Sequence, residues 1–398
     1  LSTVKNLFGE FMNAMIKKLL QGQAVEWRAL GEVAKKISSG GTPKTGIPEY
    51  YNNGEIPWLR TQEVNFNDIY DTGVKITEQG VKNSSAKWIP ANCVIIAMYG
   101  ATVGRVGINK IPMTTNQACA NIEVNEEIAE YRYVYYCLAN QYEYIKSLGT
   151  GSQTNINAQI VKKLKIPIPP LSVQSQIVQI LDTFTELTAE LTSELGMRQK
   201  QYQYYRDFLL SEHELAKVGF EWKTLGEVGD ILDNLRKPIK ASLRLAGSNP
   251  YYGANNIQDY VDGFTHDGEY VLIAEDGSSS LENYSIQWAT GKFWANNHVH
   301  VVSAKECLNN RFLFHFLKSM NFIPYLTGGT RAKLTKAKMI EIPIPIPPLS
   351  VQSQIVQILD TFDSLTNSIS DGLPKEIKLR QKQYEYYREQ LLNFTATI

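Results

Sequence analysis

The chain has 398 residues, 43% of them hydrophobic, so it is long enough for two domains with ordinary apolar cores. Lys and Arg together number 40, as do Asp and Glu, and this balance disfavours a protein that binds DNA alone by neutralising phosphates. The four cysteines form no C-x-x-C pair and no apolar run is long enough to span a bilayer, so we expect reduced thiols in a soluble, cytoplasmic protein.

Residues 1–25 are predicted to form a helical segment, because their apolar residues recur on one helix face. The motif E-W-R-A-L-G-E-V, which starts at Glu26, opens a globular segment that we assign to residues 26–165. Runs of β-branched residues such as Val94-Ile95-Ile96, separated by Gly, Asn and Pro, indicate short strands with long loops. We expect one helix in this segment, near residues 132–139.

Residues 166–220 are predicted to contain a long helix that begins after Pro169-Pro170. From Leu171 to Leu210 the apolar residues follow the 3,4 spacing of a coiled-coil seam, which corresponds to about 40 residues and about 60 Å of helix. The residues expected to form the seam or to dock partner proteins are Phe184, Leu187, Leu191, Leu195, Tyr202 and Tyr205.

A second globular segment, residues 221–341, starts at the related motif E-W-K-T-L-G-E-V and shows the same pattern of strands and loops, with one helix near residues 311–317. A second helical segment, residues 342–398, follows it. Gly372 and Pro374 should kink or interrupt its helix. Its expected seam and docking residues are Phe362, Tyr384 and Tyr387.

The two halves of the chain repeat one another. I-P-I-P-P-L-S-V-Q-S-Q-I-V-Q-I-L-D-T-F occurs from Ile166 to Phe184 and again, unchanged, from Ile344 to Phe362. The repeat predicts an α+β fold in which two mostly-β domains alternate with two long antiparallel coiled-coil helices.

Shorter matches extend the repeat into the divergent segments. Val94–Gly100 aligns with Val271–Gly277, and Thr115–Gln117 aligns with Ala295–Asn297. Leu19-Leu20 ahead of the first E-W motif resembles Leu209-Leu210 ahead of the second. We therefore expect an internal pseudo-twofold repeat with circular closure.

Two divergent domains that alternate with two near-identical helices resemble the specificity subunits of Type I restriction-modification enzymes, over essentially the whole chain. The resemblance implies that residues 26–165 and 221–341 are target-recognition domains, each reading one half of a bipartite, asymmetric site in double-stranded DNA. It implies that the helices set the spacer and dock two methyltransferase subunits and, through them, the nuclease/translocase restriction subunits. Thr188–Leu191 and, imperfectly, Thr192–Leu195 resemble the T-A-E-L spacer units of one subgroup.

Motifs for catalysis are absent from the sequence. It has neither the (N/D)-P-P-(Y/F) motif of an amino-methyltransferase nor the G-x-x-x-x-G-K-[ST] motif of a translocase, so we expect a non-catalytic subunit without a cofactor. His298-x-His300 could hold a metal ion, but it lacks further ligands at suitable spacing, and strand histidines are favoured. Glu275-Asp276 could suggest a nuclease, but no lysine follows at the required spacing. Gly100–Gly107 fits a tight DNA-facing loop better than a nucleotide site.

Candidate DNA contacts lie in loops rich in amides, hydroxyls and arginine, because Asn and Gln pair with adenine and Arg pairs with guanine in the major groove. In the first domain they are Arg60, Thr61, Gln62, Tyr99, Thr102, Arg105, Asn116 and Gln117. In the second domain they are Tyr252, Asn255, Asn256, Ser278, Ser279, Asn296, Asn297 and His298. Two aligned glycine-containing loops suit an approach to phosphate, with Ser152 and Gln153 in the first and Thr330, Arg331 and Lys333 in the second.

Two other functions remain open from the residues alone. A stand-alone regulator with bipartite DNA recognition would explain the two domains, although the balanced charge speaks against it. A coiled-coil scaffold with sugar-binding β domains would explain the 22 Tyr and 6 Trp residues. The tyrosines of the long helices could stack on bases, but their spacing favours packing between helices.

Overall fold

The computed structural model describes residues 14–16, 18–20, 25–149, 155–328, 332–368 and 371–394. The chain divides into two compact units: Leu1–Ala189 with Lys378–Ile398, and Glu190–Ile377. Most of the predicted N-terminal helical segment lies outside the described residues, but residues 14–16 and 18–20 are helical.

Short strands are the most numerous elements in residues 26–165, the segment predicted to be the first recognition domain. They are β1 (Glu26–Ala29), β2 (Ala34–Ser39), β3 (Ile56–Leu59), β4 (Asn67–Ile69), β5 (Lys75–Ile76), β6 (Trp88–Ile89), β7 (Val94–Ala97), β8 (Val106–Asn109), β9 (Met113–Thr115), β10 (Cys119–Val124) and β11 (Lys165–Ile168). Among the described residues these strands form sheets in the orders β2-β10-β7-β8-β4, β5-β3-β9-β6 and β1-β11. The pairing of β1 with β11 joins the start of the domain to its end.

The helices of this unit are mostly short. They are α1 (Leu30–Val33), α2 (Glu78–Lys82), α3 (Tyr131–Asn140), α4 (Tyr142–Ser147), α5 (Ala158–Lys163) and the long α6 (Leu171–Leu209), of which residues 171–189 belong here. The predicted helix near residues 132–139 is thus confirmed as α3. It buries Tyr133, Val134 and Leu138 against the five-stranded sheet and the start of α6.

Segments from both ends of the described chain share the core of this first unit. Ile16 is buried in the same apolar cluster as Val173 and Ile177 of α6 and Leu391 near the C-terminus. Residues far apart in sequence therefore complete one core, as the circular closure predicted.

The segment predicted to be the second recognition domain, residues 221–341, has longer strands. They are β12 (Glu221–Thr224), β13 (Gly229–Ile231), β14 (Ala246–Tyr252), β15 (Ile257–Val261), β16 (His266–Ala274), β17 (Ile286–Ala295), β18 (Val299–Ala304) and β19 (Pro343–Ile346). The second unit also contains α7 (Glu212–Val218), α8 (Leu225–Val228), α9 (Asn310–Ser319), α10 (Lys336–Met339), α11 (Leu349–Asn367) and the first residues of α12 (Leu373–Leu392). The predicted helix near residues 311–317 is confirmed as α9.

Each recognition domain has its own sheet, and the two sheets have corresponding strand orders. The order β13-β18-β16-β17 in the second domain repeats β2-β10-β7-β8 in the first, and β12 pairs with β19 as β1 pairs with β11. The register also agrees, because Ile96 faces Ala120 in the first sheet and Ile273 faces His300 in the second. The duplication predicted from short sequence matches is therefore confirmed.

The two copies of the repeated helix differ in continuity. The first, α6, runs for 39 residues without a break, whereas the second ends at Asn367 and resumes as α12 at Leu373. A Cβ atom on Gly372 would lie 2.5 Å from the Ser364 carbonyl oxygen, so only glycine fits this break. Pro374 follows, and it has no backbone N–H to donate to the preceding turn. The predicted interruption is confirmed.

Aromatic rings pair the two copies of the repeat within each unit. In the first unit Phe184 stacks on Tyr387, with ring centroids 5.3 Å apart. In the second unit the equivalent Phe362 stacks on Tyr205 at 5.5 Å. These rings therefore pack helices of the two copies against each other.

The other predicted seam residues differ in burial. Tyr202 is buried, whereas Leu187, Leu191, Leu195 and Tyr384 are half-buried. None of the helices in the described part of the chain is long and apolar enough to cross a membrane.

Candidate DNA interface

Three backbone hydrogen bonds hold four loops together at one edge of the first recognition domain, which we call its loop edge. The N–H of Asn116 donates to Leu59 O at 2.9 Å, which joins the β9–β10 turn to the end of β3. The N–H of Met98 donates to Ala118 O at 2.8 Å, and the N–H of Ile156 donates to Met98 O at 3.0 Å. The loops that carry most of the predicted contacts therefore meet in space.

The second domain repeats this arrangement. The N–H of Asn296 donates to Tyr252 O at 3.2 Å, that of Glu275 to His298 O at 2.9 Å, and that of Leu334 to Glu275 O at 2.8 Å. Each bond has a counterpart at the aligned position of the first domain. The same backbone frame thus holds the loop edge of both domains, while the side chains on it differ.

At the centre of each edge is a tight turn held by an asparagine. The Asn116 side chain accepts from the N–H of Ala118 at 3.1 Å, and the Asn296 side chain accepts from the N–H of His298 at 2.8 Å. Asn296 is only 4% exposed. These two predicted contacts therefore each shape the turn of their own domain. The residue that follows each asparagine, Gln117 in the first domain and Asn297 in the second, is the exposed tip of that turn.

A 3₁₀ turn at Thr61–Glu63 lies beside a second one at Gly100–Thr102, with Cα atoms within 8 Å of each other. Thr61 and Thr102 are half-buried and Gln62 is exposed. The side chain of Arg60 is less available to DNA, because it forms an ion pair in which its Nε atom lies 3.7 Å from a Glu63 carboxylate oxygen.

The connection between β7 and β8 carries the other two predicted contacts of the first domain. Tyr99 is 40% exposed. Arg105 donates from Nη1 to the side-chain oxygen of Asn65 at 2.8 Å. Sequence reasoning missed Asn65, which is 40 positions away in the chain and lies in no recognisable motif.

In the second domain, predicted contacts from four separate segments line one cleft of about 810 Å³. They are Asn255, Ser278, His298 and Lys333, and they share the cleft with Gln258 and Asp276. Asn256 and Ser279 are exposed, whereas the Tyr252 ring is buried against Phe293 and unsuited to contact a base.

Asn255 shapes this cleft. Its side-chain N–H donates to Gly277 O at 2.7 Å, and its side-chain oxygen accepts from the N–H of Ser279 at 2.7 Å. His298, at the rim, places Nδ1 2.5 Å from a carboxylate oxygen of Asp276. The cleft is therefore lined by an amide and an imidazole that contacts within the domain hold in place, together with the Ser278 hydroxyl and the Lys333 ammonium group.

The acidic residue Glu275 and the histidine His300 are both held by contacts within the second domain. Glu275 is held by Arg236 at 2.7 Å and Lys333 at 2.8 Å. Burial raises the pKa of Glu275, but the hydrogen bonds from Lys333 and Arg236, together with electrostatic attraction from nearby residues, lower the pKa below its usual value. His300 is buried, with one ring nitrogen 2.6 Å from Asp233 and the other 2.8 Å from Leu334 O, so both nitrogens are occupied.

Across the described ranges, no group of three or more His, Cys, Asp or Glu side chains is arranged to hold a metal ion. Four of the predicted contacts lie outside the described residues: Ser152, Gln153, Thr330 and Arg331.

Each recognition domain is tied to the repeated helix that follows it by an arginine–aspartate pair. In the first unit the α3 residue Arg132 donates to Asp182 of α6 at 2.7 and 3.0 Å, and the Tyr136 hydroxyl donates to the same carboxylate. Arg132 also pairs with Asp68 at 3.1 Å.

The second unit repeats this contact with one change. Arg311 of α9 donates to Asp360 of α11, and the imidazole of His315 takes the place of the tyrosine, 2.7 Å from the same carboxylate. Sequence reasoning missed both pairs, although Asp182 and Asp360 stand in the identical L-D-T-F motif of the repeat.

Comparisons with known proteins agree with this architecture. The sequence matches the family model of the Type I restriction modification DNA specificity domain twice, over residues 23–196 and 217–379. It is 33% identical to the specificity subunit of type I restriction enzyme EcoprrI from Escherichia coli, over 89% of this chain and 92% of that protein. It is also 33% identical to the EcoR124I/EcoR124II specificity subunit from Escherichia coli, over 95% of this chain and 96% of that protein.

A Haemophilus influenzae protein described as a type I restriction enzyme specificity subunit is 69% identical over 192 residues, which are 47% of this chain and about half (49%) of that protein. Among solved structures, the S subunit of a Type I restriction-modification system from M. genitalium has a similar fold, with a TM-score of 0.65, 17% identity and coverage of 94% of this chain and 98% of that one. A chain from a structure on complex assembly of the type I R-M system gives a TM-score of 0.55 at 18% identity, with the same coverage.

A stand-alone regulator receives no support from these relatives. The family model covers both halves of the chain, and the identity to the Escherichia coli proteins extends over almost their full length. The chain therefore belongs to the specificity subunits of Type I restriction-modification systems, the non-catalytic subunits that recognise DNA.

Proposed function

We propose that the loop edge of each recognition domain reads one half of a bipartite site in double-stranded DNA. The observation that carries this proposal is the shared frame of three backbone hydrogen bonds, which holds equivalent loops in both domains but presents different side chains. A common frame with different donors and acceptors suits two domains that read different base pairs. The two half-sites should therefore differ.

The chemistry of each edge matches what the major groove offers. In the first domain Arg105 supplies paired donors for guanine, and Gln117 supplies the amide that suits adenine. In the second domain Asn297 occupies the place of Gln117, with His298 and Lys333 close by. Lys333 pairs with Glu275 at 2.8 Å, and the remaining N–H groups of its ammonium suit a phosphate, which positions the protein without reading sequence.

The repeated helices dock the partner subunits in this proposal. Because the helical repeats are nearly identical, they offer two equivalent surfaces, one for each of two methyltransferase subunits, through which the restriction subunits join. Tyr204 and Phe208 of α6 stack on each other and are exposed, and Tyr386 of α12 is exposed at the position that corresponds to Tyr204. Exposed aromatic side chains of this kind are typical of protein interfaces.

A domain exchange tests this function. Residues 26–165 are replaced by the recognition domain of another specificity subunit, the chain is assembled with its methyltransferase subunits, and the methylated sites of a genome are sequenced. One half-site should change and the other should stay the same, and an exchange of residues 221–341 should give the converse result. A change in both halves after either exchange would contradict separate reading.

Native mass spectrometry tests the assembly. With the methyltransferase subunit in excess, the complex should contain two copies of it for each specificity subunit. A single copy at saturation would overturn the assignment of two equivalent docking surfaces.

A further inference from the structure

Arg105 is the one arginine of the first recognition domain whose charge is not compensated. Residues 26–165 contain four arginines, and the structure describes all of them. Arg28 pairs with Glu26, Arg60 with Glu63, and Arg132 with two aspartates, whereas no carboxylate of the described residues lies within 4 Å of Arg105. Its guanidinium therefore keeps its full positive charge at the loop edge.

The backbone of Arg105 is fixed on both sides. Its N–H donates to Thr102 O at 2.9 Å, and its carbonyl accepts from the N–H of Ala97 at 2.9 Å. The preceding Gly104 has a φ of +81°, a conformation that glycine adopts without strain. Only the side chain of Arg105 is thus free to vary in direction.

Asn65 fixes the direction of the Arg105 side chain. Its side-chain oxygen accepts from Arg105 Nη1 at 2.8 Å, and its backbone N–H donates to the side-chain oxygen of Asn67 at 2.8 Å. The neutral amide orients the guanidinium through its oxygen and adds no negative charge to the loop edge. The remaining N–H groups of Arg105 stay available for an acceptor outside the protein.

The backbone beside Asn65 is strained. Phe66 has a φ of +55°, which is uncommon for a bulky residue, and its ring is 38% exposed. The strain is maintained by a hydrogen bond from the Phe66 N–H to Val106 O at 2.8 Å and by an edge-on contact with the Tyr142 ring. This left-handed step turns the chain so that Asn65 faces Arg105.

We propose that Asn65 is a positioning residue for DNA reading, which holds the Arg105 guanidinium in the orientation needed to contact a guanine. The inference rests on the proposed function of the loop edge and adds a residue to it. To position Arg105, residue 65 needs only a side-chain oxygen that accepts a hydrogen bond. Aspartate at position 65 should therefore still position Arg105, whereas alanine should not.

The test uses the full-length chain assembled with its methyltransferase subunits. Methylation rates are measured on duplexes that carry each single base-pair substitution in the half-site read by the first domain. Arg105→Ala should lower discrimination at one base pair about 5- to 150-fold. Asn65→Ala should lower it at the same base pair, and the double variant should lose no more than Arg105→Ala alone.

The charged variant separates positioning from other roles. Asn65→Asp should keep the discrimination at that base pair and weaken binding to all DNA uniformly, because it adds a negative charge near phosphates. Asn83→Ala is the matched control, since among the described residues the Asn83 side chain bonds only to Gln79 of α2, the helix that ends just before it, and it should change neither property.

Three outcomes would overturn the inference. If Arg105→Ala relaxes one base pair but Asn65→Ala has no effect, Asn65 does not position Arg105 and the reading role of the edge stands. If Asn65→Ala relaxes a different base pair, Asn65 reads DNA directly. If Arg105→Ala leaves specificity unchanged, Arg105 does not read a base and the proposed role of this edge fails with it.

Discussion

Asp182 accepts hydrogen bonds from Arg132 at 2.7 and 3.0 Å and so attaches the first recognition domain to the long helix that follows it. The equivalent Asp360 accepts from Arg311 in the second unit. The same attachment therefore occurs in both units, although the recognition domains have diverged.

This attachment should contribute to stability. Asp182→Asn removes the charge that Arg132 faces and weakens its hydrogen bonds, so we expect the free energy of unfolding to fall by about 1.5–3 kcal/mol. Asp207→Asn is the control, because Asp207 is exposed and, in the part of the chain that the structure describes, pairs only with the adjacent Arg206, so its effect should be within about 0.5 kcal/mol. Urea denaturation measures the free energy of unfolding of each variant. An equal loss of stability in Asp182→Asn and Asp207→Asn would show that the Arg132–Asp182 contact does not stabilise the protein.

His315 should make stability depend on pH. Burial lowers the pKa of His315 below its usual 6.5, against the opposing effect of Asp360. The unfolded chain therefore binds a proton more readily than the folded chain, so the protein should lose stability as the pH falls through 6.5. His315→Gln removes the titrating group, and the loss between about pH 7.5 and 5.5 should become smaller.

The control for this experiment is His213→Gln, since the His213 side chain is 82% exposed. Urea midpoints of the wild type and both variants are compared at each pH. The same pH dependence in wild type and His315→Gln would show that His315 is not responsible.

Adjacent asparagines in the second domain should have separable roles. Asn297 is the exposed tip of its turn, so Asn297→Ala should reduce discrimination at one base pair by about 1–3 kcal/mol with stability retained. Asn296 is buried and accepts from the His298 N–H, so Asn296→Ala should lower the free energy of unfolding by about 1–3 kcal/mol. Methylation of substituted duplexes and urea denaturation distinguish the two. A uniform loss of binding in Asn297→Ala would reassign this residue to phosphate contact.

The Thr188–Leu195 segment should set the distance between the half-sites. Inserting one T-A-E-L unit adds about 6 Å of helix and, at about 100° per residue, a net rotation of about 40°. One base pair adds about 3.4 Å and about 35° of rotation. The two rotations agree closely, and the longer rise of the helix is accommodated if the helices cross the DNA obliquely, so that only part of that rise lies along the DNA axis. We therefore expect the non-specific spacer to lengthen by one base pair with both half-sites unchanged.

Insertions of one to three residues are the control for this prediction. They should displace the half-buried Leu187, Leu191 and Leu195 from one face of α6 and impair activity. Sequencing of the methylated sites in each insertion mutant measures the spacer. An unchanged spacer after the four-residue insertion would show that the helices do not set it.

Local patterns in the sequence were sufficient to determine the duplication, the long helices, the break at Gly372 and the shared strands of the two domains. Identical segments such as Ile166–Phe184 and Ile344–Phe362 encode the same helix start, because a proline pair precedes each and the apolar spacing is the same. The aligned turns at Asn116 and Asn296 were also visible, since an asparagine turn is a property of three consecutive residues.

Only the tertiary structure decided which polar side chains are available for DNA. Tyr252, Asn296 and Gln117 are all polar loop residues in the sequence, but burial and turn hydrogen bonds leave only Gln117 exposed among them. Asn65 and Arg105 meet because β4 pairs in parallel with β8, a contact between strands about 40 residues apart. Local periodicity determines how a segment folds, whereas the partners of a side chain depend on sheet register and on contacts that are distant in sequence.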